Sequence, residues 1–545
     1  MKRALSLLLV VVMVIGLFTA CGGNTRKKRG QKDADSRELT VGIPQSANIS
    51  SLTDNAFTKY IEESLDIKIE FIYYSGNSDE YQQQFSLDCS AGKDVPDVVW
   101  GFQGMSVYAM GDLGEDGYIL DLSDMLETNF PHFQEARKKL SPEMQDYIVE
   151  KGRDQTNGAF YGMPLVALTH IDNLRSMPFI NTAWLEKLGL EMPTNLDELY
   201  TVLKAFKEQD PNGNGKQDEV PFLGGGTGNG SVFAWIMNAF QYTNMDNPYI
   251  VEDGKVSHAL TTEEFRDAVK YIRKLYQEGL ISELCFSVGG ATELIAMYTP
   301  ADNVAKVGVW FGHPSIYTDA NSTILDQYSV LTSLADATGK GGWTVIDPDA
   351  VKWCSFITAD CPNPEVAAEF LDFMYVDETM TRMRWGEKGV YWDYGEEGEN
   401  VKGEKTTIHV KDSSGFFTGS STWGFNGNCI MNDANYTEVV ESTGKTPRDK
   451  EVSRMMAELW DLMQNGKMPE EYVVQLVYSA DDYDRKQELN NSMWNIYSES
   501  LTLFVVGEKD INDDAEWNAY LDAMKEAGED EICQIIQRAY DEKNK

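Results

Sequence analysis

The order of elements at the start of the chain constrains the fold more than any other feature. The pattern predicts a strand at 38–44, a helix at about 54–64, a strand at 67–74, a polar helix at 80–91 and an apolar strand at 95–100. A β-α-β-α-β order favours a largely parallel sheet, in which ligands collect beyond the carboxyl ends of the strands. Trp100 lies at such an end.

An oxygen-rich loop follows a pair of predicted helices in the middle of the chain. Counted from Asp210, oxygen side chains fall at positions one, three, five and nine, and Gly215 stands at position six, where a calcium loop turns sharply. Lys216 at position seven offers its backbone carbonyl. Position twelve, a bidentate Glu in an EF-hand, is Pro221 here, and the nearest extra carboxylate is Glu219. The pattern indicates a calcium-type loop that departs from the EF-hand; the alternative is an Asn- and Gly-rich turn that binds nothing.

The helical pair and this loop resemble the long members of the extracellular solute-binding protein family 1, the carbohydrate receptors of ABC importers that include alginate-oligosaccharide-binding proteins. Similar segments are 92–99 (GKDVPDVV), the predicted crossovers at 158–164 (GAFYGMP) and 352–358 (KWCSFIT), the helix at 363–373 and the closing helices at 504–541. The resemblance covers most of 38–541 discontinuously and is weakest over 286–350 and 395–450. It implies a two-lobed α/β fold of the periplasmic-binding-protein type II, each lobe a mainly parallel sheet flanked by helices, with a cleft between the lobes.

The resemblance also implies how the chain is divided and where a metal lies. The spans are a signal peptide at 1–20, a flexible tether at 21–37, a first lobe at 38–166 plus about 354–395, a second lobe at 167–353 plus about 396–500, and C-terminal helices packing on the lobes at 501–545. Structural calcium would lie away from the sugar cleft. Its implied ligands are Asp210, Asn212, Asn214, the Lys216 carbonyl, Asp218 and Glu219.

The N-terminal segment predicts export and lipid anchoring. Lys2 and Arg3 precede an apolar run from Ala4 to Phe18, which is shorter than the roughly twenty residues that a membrane-spanning helix needs. Cys21 after Thr-Ala resembles a bacterial lipobox, in which the cysteine is lipid-modified and becomes the new N-terminus; Phe18 departs from the usual Leu. The alternative is a plain secretory signal. We therefore expect a protein at the extracellular face of the bacterial cytoplasmic membrane, held through a lipid anchor, or in the periplasm.

Composition excludes several classes of function. The chain has 47 Lys and Arg against 87 Asp and Glu, a net charge of −40, so nucleic-acid binding is excluded and a neutral ligand fits best. The cysteines and histidines lack metal spacings, and no nucleophile elbow or phosphate loop is present. Cys354 and Cys361 could pair across a turn, although spacing does not settle connectivity. A glycosidase carboxylate pair could still hide among so many acidic residues.

A sugar receptor needs flat aromatic platforms for the C–H faces of the ring and convergent polar groups for its hydroxyls. Aromatic residues near Gly or Ser are the candidates, because glycine lets a ligand approach the backbone closely. The predicted ligand-binding residues are Trp100, Trp235, Trp310, Trp385, Tyr391, Trp392 and Trp423. Gln103, Asp172 and Asn426 are possible hydroxyl partners by location. For each aromatic residue the alternative is a core position.

These observations lead to a first hypothesis and two alternatives. The first is a receptor and not an enzyme: a monomeric, lipid-anchored protein that binds a carbohydrate between its lobes, closes by a hinge rotation and delivers it to ABC importer permease subunits. One alternative is a secreted, calcium-stabilised glycoside hydrolase or lyase. The other is a surface glycan-binding or sensory protein without a transporter. Calcium does not discriminate among them, since it stabilises proteins of all three kinds.

Overall fold

The computed structural model describes residues 37–545 with several gaps. The gaps are 47–48, 103–104, 168–173, 175–176, 226–230, 288–295, 315–320, 337, 347–350, 401–404, 413–418, 425–426, 432–445 and 474–475. The signal segment with Cys21, and the possible hydroxyl partners Gln103, Asp172 and Asn426, lie outside the described residues. Within the described residues, no helix has the length and apolar character needed to cross a membrane.

The strands build two larger sheets and two hairpins. They are β1 (Glu38–Pro44), β2 (Lys68–Tyr74), β3 (Val98–Val99), β4 (Met163–Ala167), β5 (Pro178–Asn181), β6 (Val220–Leu223), β7 (Tyr249–Glu252), β8 (Lys255–His258), β9 (Val307–Phe311), β10 (Tyr328–Val330), β11 (Val351–Ile357), β12 (Trp392–Glu399), β13 (Lys405–Val410) and β14 (Cys429–Met431). One sheet has the order β14-β4-β11-β3-β1-β2, and the other has the order β10-β5-β9-β6. The hairpins are β7–β8 and β12–β13.

Helices connect and cover these strands. They are α1 (Ala56–Leu65), α2 (Ser78–Ser90), α3 (Val107–Glu115), α4 (Pro131–Arg137), α5 (Pro142–Gly152), α6 (Thr182–Leu188), α7 (Leu196–Glu208), α8 (Val232–Met237), α9 (Glu263–Gln277), α10 (Leu284–Ser287), α11 (Pro364–Phe373), α12 (Asp377–Trp385), α13 (Pro447–Asn465), α14 (Ala480–Val506), α15 (Asp514–Glu526) and α16 (Glu529–Lys543). The predicted α/β class is confirmed, and the opening β-α-β-α-β order appears as β1-α1-β2-α2-β3.

Strand direction follows the path of the chain between the lobes. β1 runs parallel to β2 and β3, β4 to β14, and β6 to β9. β5 and β11 are the first strands after the chain enters each lobe from the other, and both run antiparallel to their two neighbours. The second sheet is therefore less parallel than predicted, because two of the three strand pairs in this sheet involve the entering strand β5 and are antiparallel.

Two separate hydrophobic cores define the lobes. The first core draws on 39–166 and 351–383 together with Trp423 and Ile430, whereas the second draws on 174–334 and 455–536. The prediction that placed 396–500 in the second lobe is wrong at β14, which pairs with β4 in the first sheet. Helices α13 to α16 contribute buried residues to the second core. The sequence did not indicate this division because strand pairing across a lobe is a long-range contact.

Local signals placed helix starts to within two residues, since the helices predicted from about 54 and from 80 begin at Ala56 and Ser78. The cap of α7 is Asn195, whose side-chain oxygen accepts from the N–H groups of Asp197 and Glu198. Thr194 instead donates from its N–H and hydroxyl to Glu198, 2.8 Å in each case. The Asn195 bonds satisfy N–H groups in the first turn of α7, and the Thr194 bonds hold the chain that leads into the helix.

The possible disulfide is not formed. Cys354 lies buried on β11 with its sulfur 3.8 Å from the Met163 carbonyl oxygen, and burial raises the pKa of its thiol to about 12. None of the described cysteines is bonded to another described cysteine. Cys354 is therefore a packing residue beside β4.

His258, at the end of β8, should make the second lobe sensitive to acid. Burial lowers its pKa to about 3, below the ordinary value of 6.5, so the unfolded chain binds a proton that the folded chain resists. Stability present above pH 6.5 is lost as pH falls, by about 2 kcal/mol between about pH 7.5 and 5. Over the same pH range, a His258→Asn variant should lose about 2 kcal/mol less stability than the wild type. Asparagine keeps a side-chain acceptor for the Leu260 N–H, which His258 now caps. Denaturant unfolding of both proteins at the two pH values measures this; equal losses would contradict it.

Candidate functional site

A cavity of about 310 Å³ opens at the carboxyl edge of the first sheet. The ends of β1 and β3 meet there, because the Trp100 N–H donates to the Gly42 carbonyl at 2.9 Å. The lining residues are Ile43, Pro44, Gln45, Ser46, Gly76, Trp100 and Trp423. The cavity thus lies where a parallel sheet is expected to bind its ligand, and its volume is at the lower end of the range of roughly 300–1,000 Å³ usual for ligand pockets.

Trp100 and Trp423 form one wall of this cavity. Their ring centroids are 5.3 Å apart with an interplanar angle of 89°, and each side chain is 1% exposed. The Trp423 indole N–H donates to the Thr58 hydroxyl at 2.7 Å. The buried Trp100 indole N–H has no hydrogen-bond partner among the described residues. Trp423 is thus held by a hydrogen bond, whereas the indole nitrogen of Trp100 is enclosed by the fold and faces the backbone of Gly427.

Gln45, Ser46 and Gly76 complete the lining, and sequence reasoning missed them. The Gln45 N–H donates to the Tyr74 carbonyl at 2.9 Å, which brings the turns after β1 and β2 together. A Cβ atom at position 76 would lie 2.4 Å from the Gln45 carbonyl oxygen, so the close approach requires glycine. The signal that could have identified these residues is the one that identified Trp100: they directly follow parallel strands.

The chemistry of the lining suits a neutral ligand. The seven lining residues include an amide, a hydroxyl and two aromatic rings, but no carboxylate or basic group. Amide and hydroxyl groups beside an aromatic wall match the hydroxyls and C–H faces of a sugar.

Two of the predicted ligand-binding tryptophans instead pack in the second core. Trp310 is on β9 and fully buried, stacked on Phe179 at a centroid distance of 4.7 Å. Trp235, on α8, is 5% exposed and contacts Phe222 and Phe311 edge-on, with centroids 5.8 and 6.1 Å apart. Both rings pack in the second core, and neither lines the described cavity.

The cluster of Trp385, Tyr391 and Trp392 packs against the β12–β13 hairpin. Trp385 and Trp392 are buried with Ile408 and Val410, and Tyr391 packs against this group. The Trp392 indole N–H donates to the Gly386 carbonyl at 2.9 Å. These aromatic residues form a small satellite core and do not line the cavity.

The two lobes touch through three tyrosines. Tyr108, in α3 of the first lobe, donates its hydroxyl to the Tyr478 carbonyl at 2.8 Å and accepts from the Tyr478 N–H at 3.0 Å. Its ring stacks on Tyr483, in α14 of the second lobe, with centroids 4.1 Å apart. The contact ties the helix that follows β3 to the helix that carries much of the second core.

His313 marks a second place where the lobes approach each other. It follows β9 at the carboxyl end of that strand. Burial lowers its pKa to about 4, with further lowering by the charges of Arg384 and Arg448. Arg384 is in α12 of the first lobe, so its charge acts across the boundary between the lobes.

The predicted metal loop is folded around its own side chains. Asp210 has a left-handed backbone, with φ of 46°, and its carboxylate accepts from the N–H groups of Gly213, Asn214 and Gly215 at 3.0–3.1 Å. The side-chain amides of Asn212 and Asn214 donate to Asp218 at 3.3 and 2.8 Å. These bonds, with Asn214 foremost, lower the pKa of Asp218. The loop leads directly into β6, so it lies at the amino end of that strand.

Glu219 is the residue of this loop whose surroundings favour a cation. Both of its carboxylate oxygens are buried without a hydrogen-bond partner among the described residues. Burial raises the pKa of Glu219 and the charges of Asp210 and Asp218 raise it further, whereas the nearby backbone N–H groups of Glu219 and Asn212 partly offset this rise. Among the described residues, no three His, Cys, Asp or Glu side chains are gathered closely enough to hold a metal. Amide and carbonyl oxygens are also calcium ligands, so the loop fits the ion in kind, and a cation would pair the buried carboxylate.

Comparison with known proteins decides the family. The model of the bacterial extracellular solute-binding protein family matches residues 45–381. The chain belongs to this family. The matched range contains the cavity residues Gln45, Ser46, Gly76 and Trp100, the predicted metal loop and the strand β11 that returns to the first lobe.

Relatives extend the comparison within the family. The fructooligosaccharide ABC transporter substrate-binding protein FusA of Streptococcus pneumoniae serotype 4 is 28% identical over 339 residues, which cover 60% of this chain and 59% of that protein. Lipoprotein LipO of Bacillus subtilis is 39% identical over 155 residues, 27% of this chain and 30% of LipO. The aligned part thus spans less than two thirds of either relative. A structure of S. pneumoniae FusA, described as an EF-hand mutant in complex with fructo-nystose, has a TM-score of 0.75 at 22% identity and covers 93% of this chain and 99% of that one.

Proposed function

We propose that this solute-binding protein is a lipid-anchored receptor of an ABC importer that binds an oligosaccharide between its lobes. The observation that carries the proposal is the cavity at the carboxyl edge of the first sheet, which Gln45, Ser46, Trp100 and Trp423 line without any ionisable group. The name of FusA, a fructooligosaccharide binder, supports a neutral oligosaccharide as ligand.

Hinge closure is the proposed mechanism. The chain crosses between two independently packed lobes before β5 and β11, and the lobes meet through Tyr108 and near His313. A ligand that contacts both lobes binds the closed arrangement better and shifts the population toward it. Closure then reports occupancy to the permease subunits, and this step requires no covalent chemistry.

A thermal-unfolding screen of the purified protein tests this function. Ligand that binds the folded state raises the melting temperature by mass action. We expect a neutral oligosaccharide, with kestose and nystose tested first and acidic glycans as comparison, to raise it and to be recovered intact. Recovery of shortened glycans would favour the alternative of a hydrolase or lyase. Absence of stabilisation by every glycan would contradict the carbohydrate assignment.

We propose structural calcium in the loop from Asp210 to Glu219. The support is the buried, unpaired Glu219 carboxylate together with the oxygen-bearing side chains of Asp210, Asn212, Asn214 and Asp218 and the Lys216 carbonyl. When bound, calcium supplies charge that the loop lacks and fixes the entry to β6. The strand β6 separates this loop from the carboxyl edge of its sheet, so the metal has a stabilising role and no contact with the ligand is required.

We propose lipid attachment at Cys21, supported by the short apolar run and by the name of LipO, a lipoprotein. Cell fractionation tests the anchor. The wild-type protein should stay with the membrane, and a Cys21→Ser variant that stays there equally would contradict it.

A further inference from the structure

Lys306, the residue directly before β9, lies beside the loop that we propose to bind calcium. The Lys306 ammonium nitrogen lies 3.6 Å from Oδ2 of Asp218 and 3.8 Å from Oδ2 of Asp302. Its backbone carbonyl accepts from the Val220 N–H at 2.7 Å, so the lysine is fixed next to the residue that follows Glu219. The side chain is 29% exposed, which leaves its charge only partly screened by water.

The two oxygens of Asp218 face different partners. Oδ1 accepts from the amides of Asn212 and Asn214, and Oδ2 faces Lys306. The positive charge of Lys306 therefore lies beside Asp218, one of the proposed calcium ligands of the loop. Glu219 receives no such partner among the described residues, so the lysine neutralises only part of the acidic group.

We infer that Lys306 is an internal competitor for the cation of this loop and sets its calcium affinity, an inference that rests on the proposed calcium site. An ammonium beside Asp218 stabilises the metal-free loop and repels a divalent ion there. Asp302, four residues before Lys306 in the sequence, offers the ammonium a second carboxylate. When calcium binds, the Lys306 ammonium moves away from Asp218 and toward Asp302. The calcium affinity therefore depends on the difference in free energy between the Lys306–Asp218 and Lys306–Asp302 ion pairs.

Calcium titration of the purified protein by calorimetry, together with unfolding in chelator, tests the inference. A Lys306→Met variant should bind calcium roughly threefold to tenfold more tightly than the wild type, because the repulsion is removed. The same variant should unfold at a lower temperature in chelator, because Asp218 loses its cation. An Asp302→Asn variant should bind calcium more weakly, since the displaced ammonium has lost its second carboxylate.

Lys270→Met is the matched control. It removes the same charge and another Lys–Asp pair, at 2.9 Å to Asp267 on α9 of the same lobe, and should leave calcium affinity within about twofold of the wild type. Folded Lys306→Met protein with unchanged or weaker affinity overturns the inference, as does unchanged affinity in Asp302→Asn if Lys306→Met does not fold. A wild type that binds no calcium refutes the metal site itself, whereas wild-type binding with indifferent variants refutes the role of Lys306 alone.

Discussion

Replacing Trp100 with phenylalanine should weaken binding of the stabilising oligosaccharide by roughly tenfold, because the smaller ring removes part of the aromatic wall of the cavity. Phenylalanine keeps apolar contact with Trp423 but lacks the indole N–H, which has no partner among the described residues. Calorimetric titration with the glycan found in the thermal screen measures the change. Denaturant unfolding of the same variant shows whether the fold is retained.

Trp310→Phe is the control for this experiment, because Trp310 is an equally buried tryptophan at the centre of the other core. Its shortened side chain should lower the free energy of unfolding by about 1–3 kcal/mol through lost packing and leave glycan affinity unchanged. If Trp310→Phe weakens binding and Trp100→Phe does not, the ligand occupies a site other than the described cavity.

Glu219→Gln should abolish stabilisation by calcium. Wild-type protein with free calcium a hundredfold above its dissociation constant should gain about 2.7 kcal/mol of unfolding free energy over protein in chelator. In chelator the variant should be more stable than the wild type at neutral pH. The reason is that burial raises the pKa of Glu219, so the folded state bears the cost of its ionised form above that pKa, and Gln removes the charge. Thermal unfolding with calcium and with chelator measures both effects.

Glu208→Gln provides the comparison for this variant. Glu208 is exposed at the end of α7, close in sequence to the loop, and the substitution makes the same change of charge. Its calcium stabilisation should equal that of the wild type. Full calcium stabilisation of Glu219→Gln would remove Glu219 from the set of ligands.

Local patterns predicted much of the fold. The strand at 38–44 coincides with β1, and the β-α-β-α-β order was read from alternation and helical spacing. The oxygen-rich loop was recognised from residue type and position alone. Such features depend on residues close in sequence, whose conformational preferences are already present in the chain.

The ligand-binding tryptophans were predicted less well, and Trp310 shows why. Gly308 was taken as a sign of ligand approach, yet a Cβ there would lie 2.4 Å from the Phe206 ring, so this glycine makes room for a helix of the core. The flanking residues of a tryptophan do not reveal which element packs on it. Trp100 and Trp423, far apart in sequence, line one cavity because Trp423 joins the first core.

The sequence by itself determined the acidic composition of the chain, the parallel order of its first strands and the oxygen-rich composition of the loop from Asp210 to Glu219. The tertiary structure decided which aromatic residues line the cavity, that β14 completes the first sheet, and that Lys306 stands beside Asp218. The physical reason is the range of the interactions. Backbone preference and side-chain periodicity act within a few residues, whereas burial, strand pairing and ion pairing across elements depend on how distant segments pack.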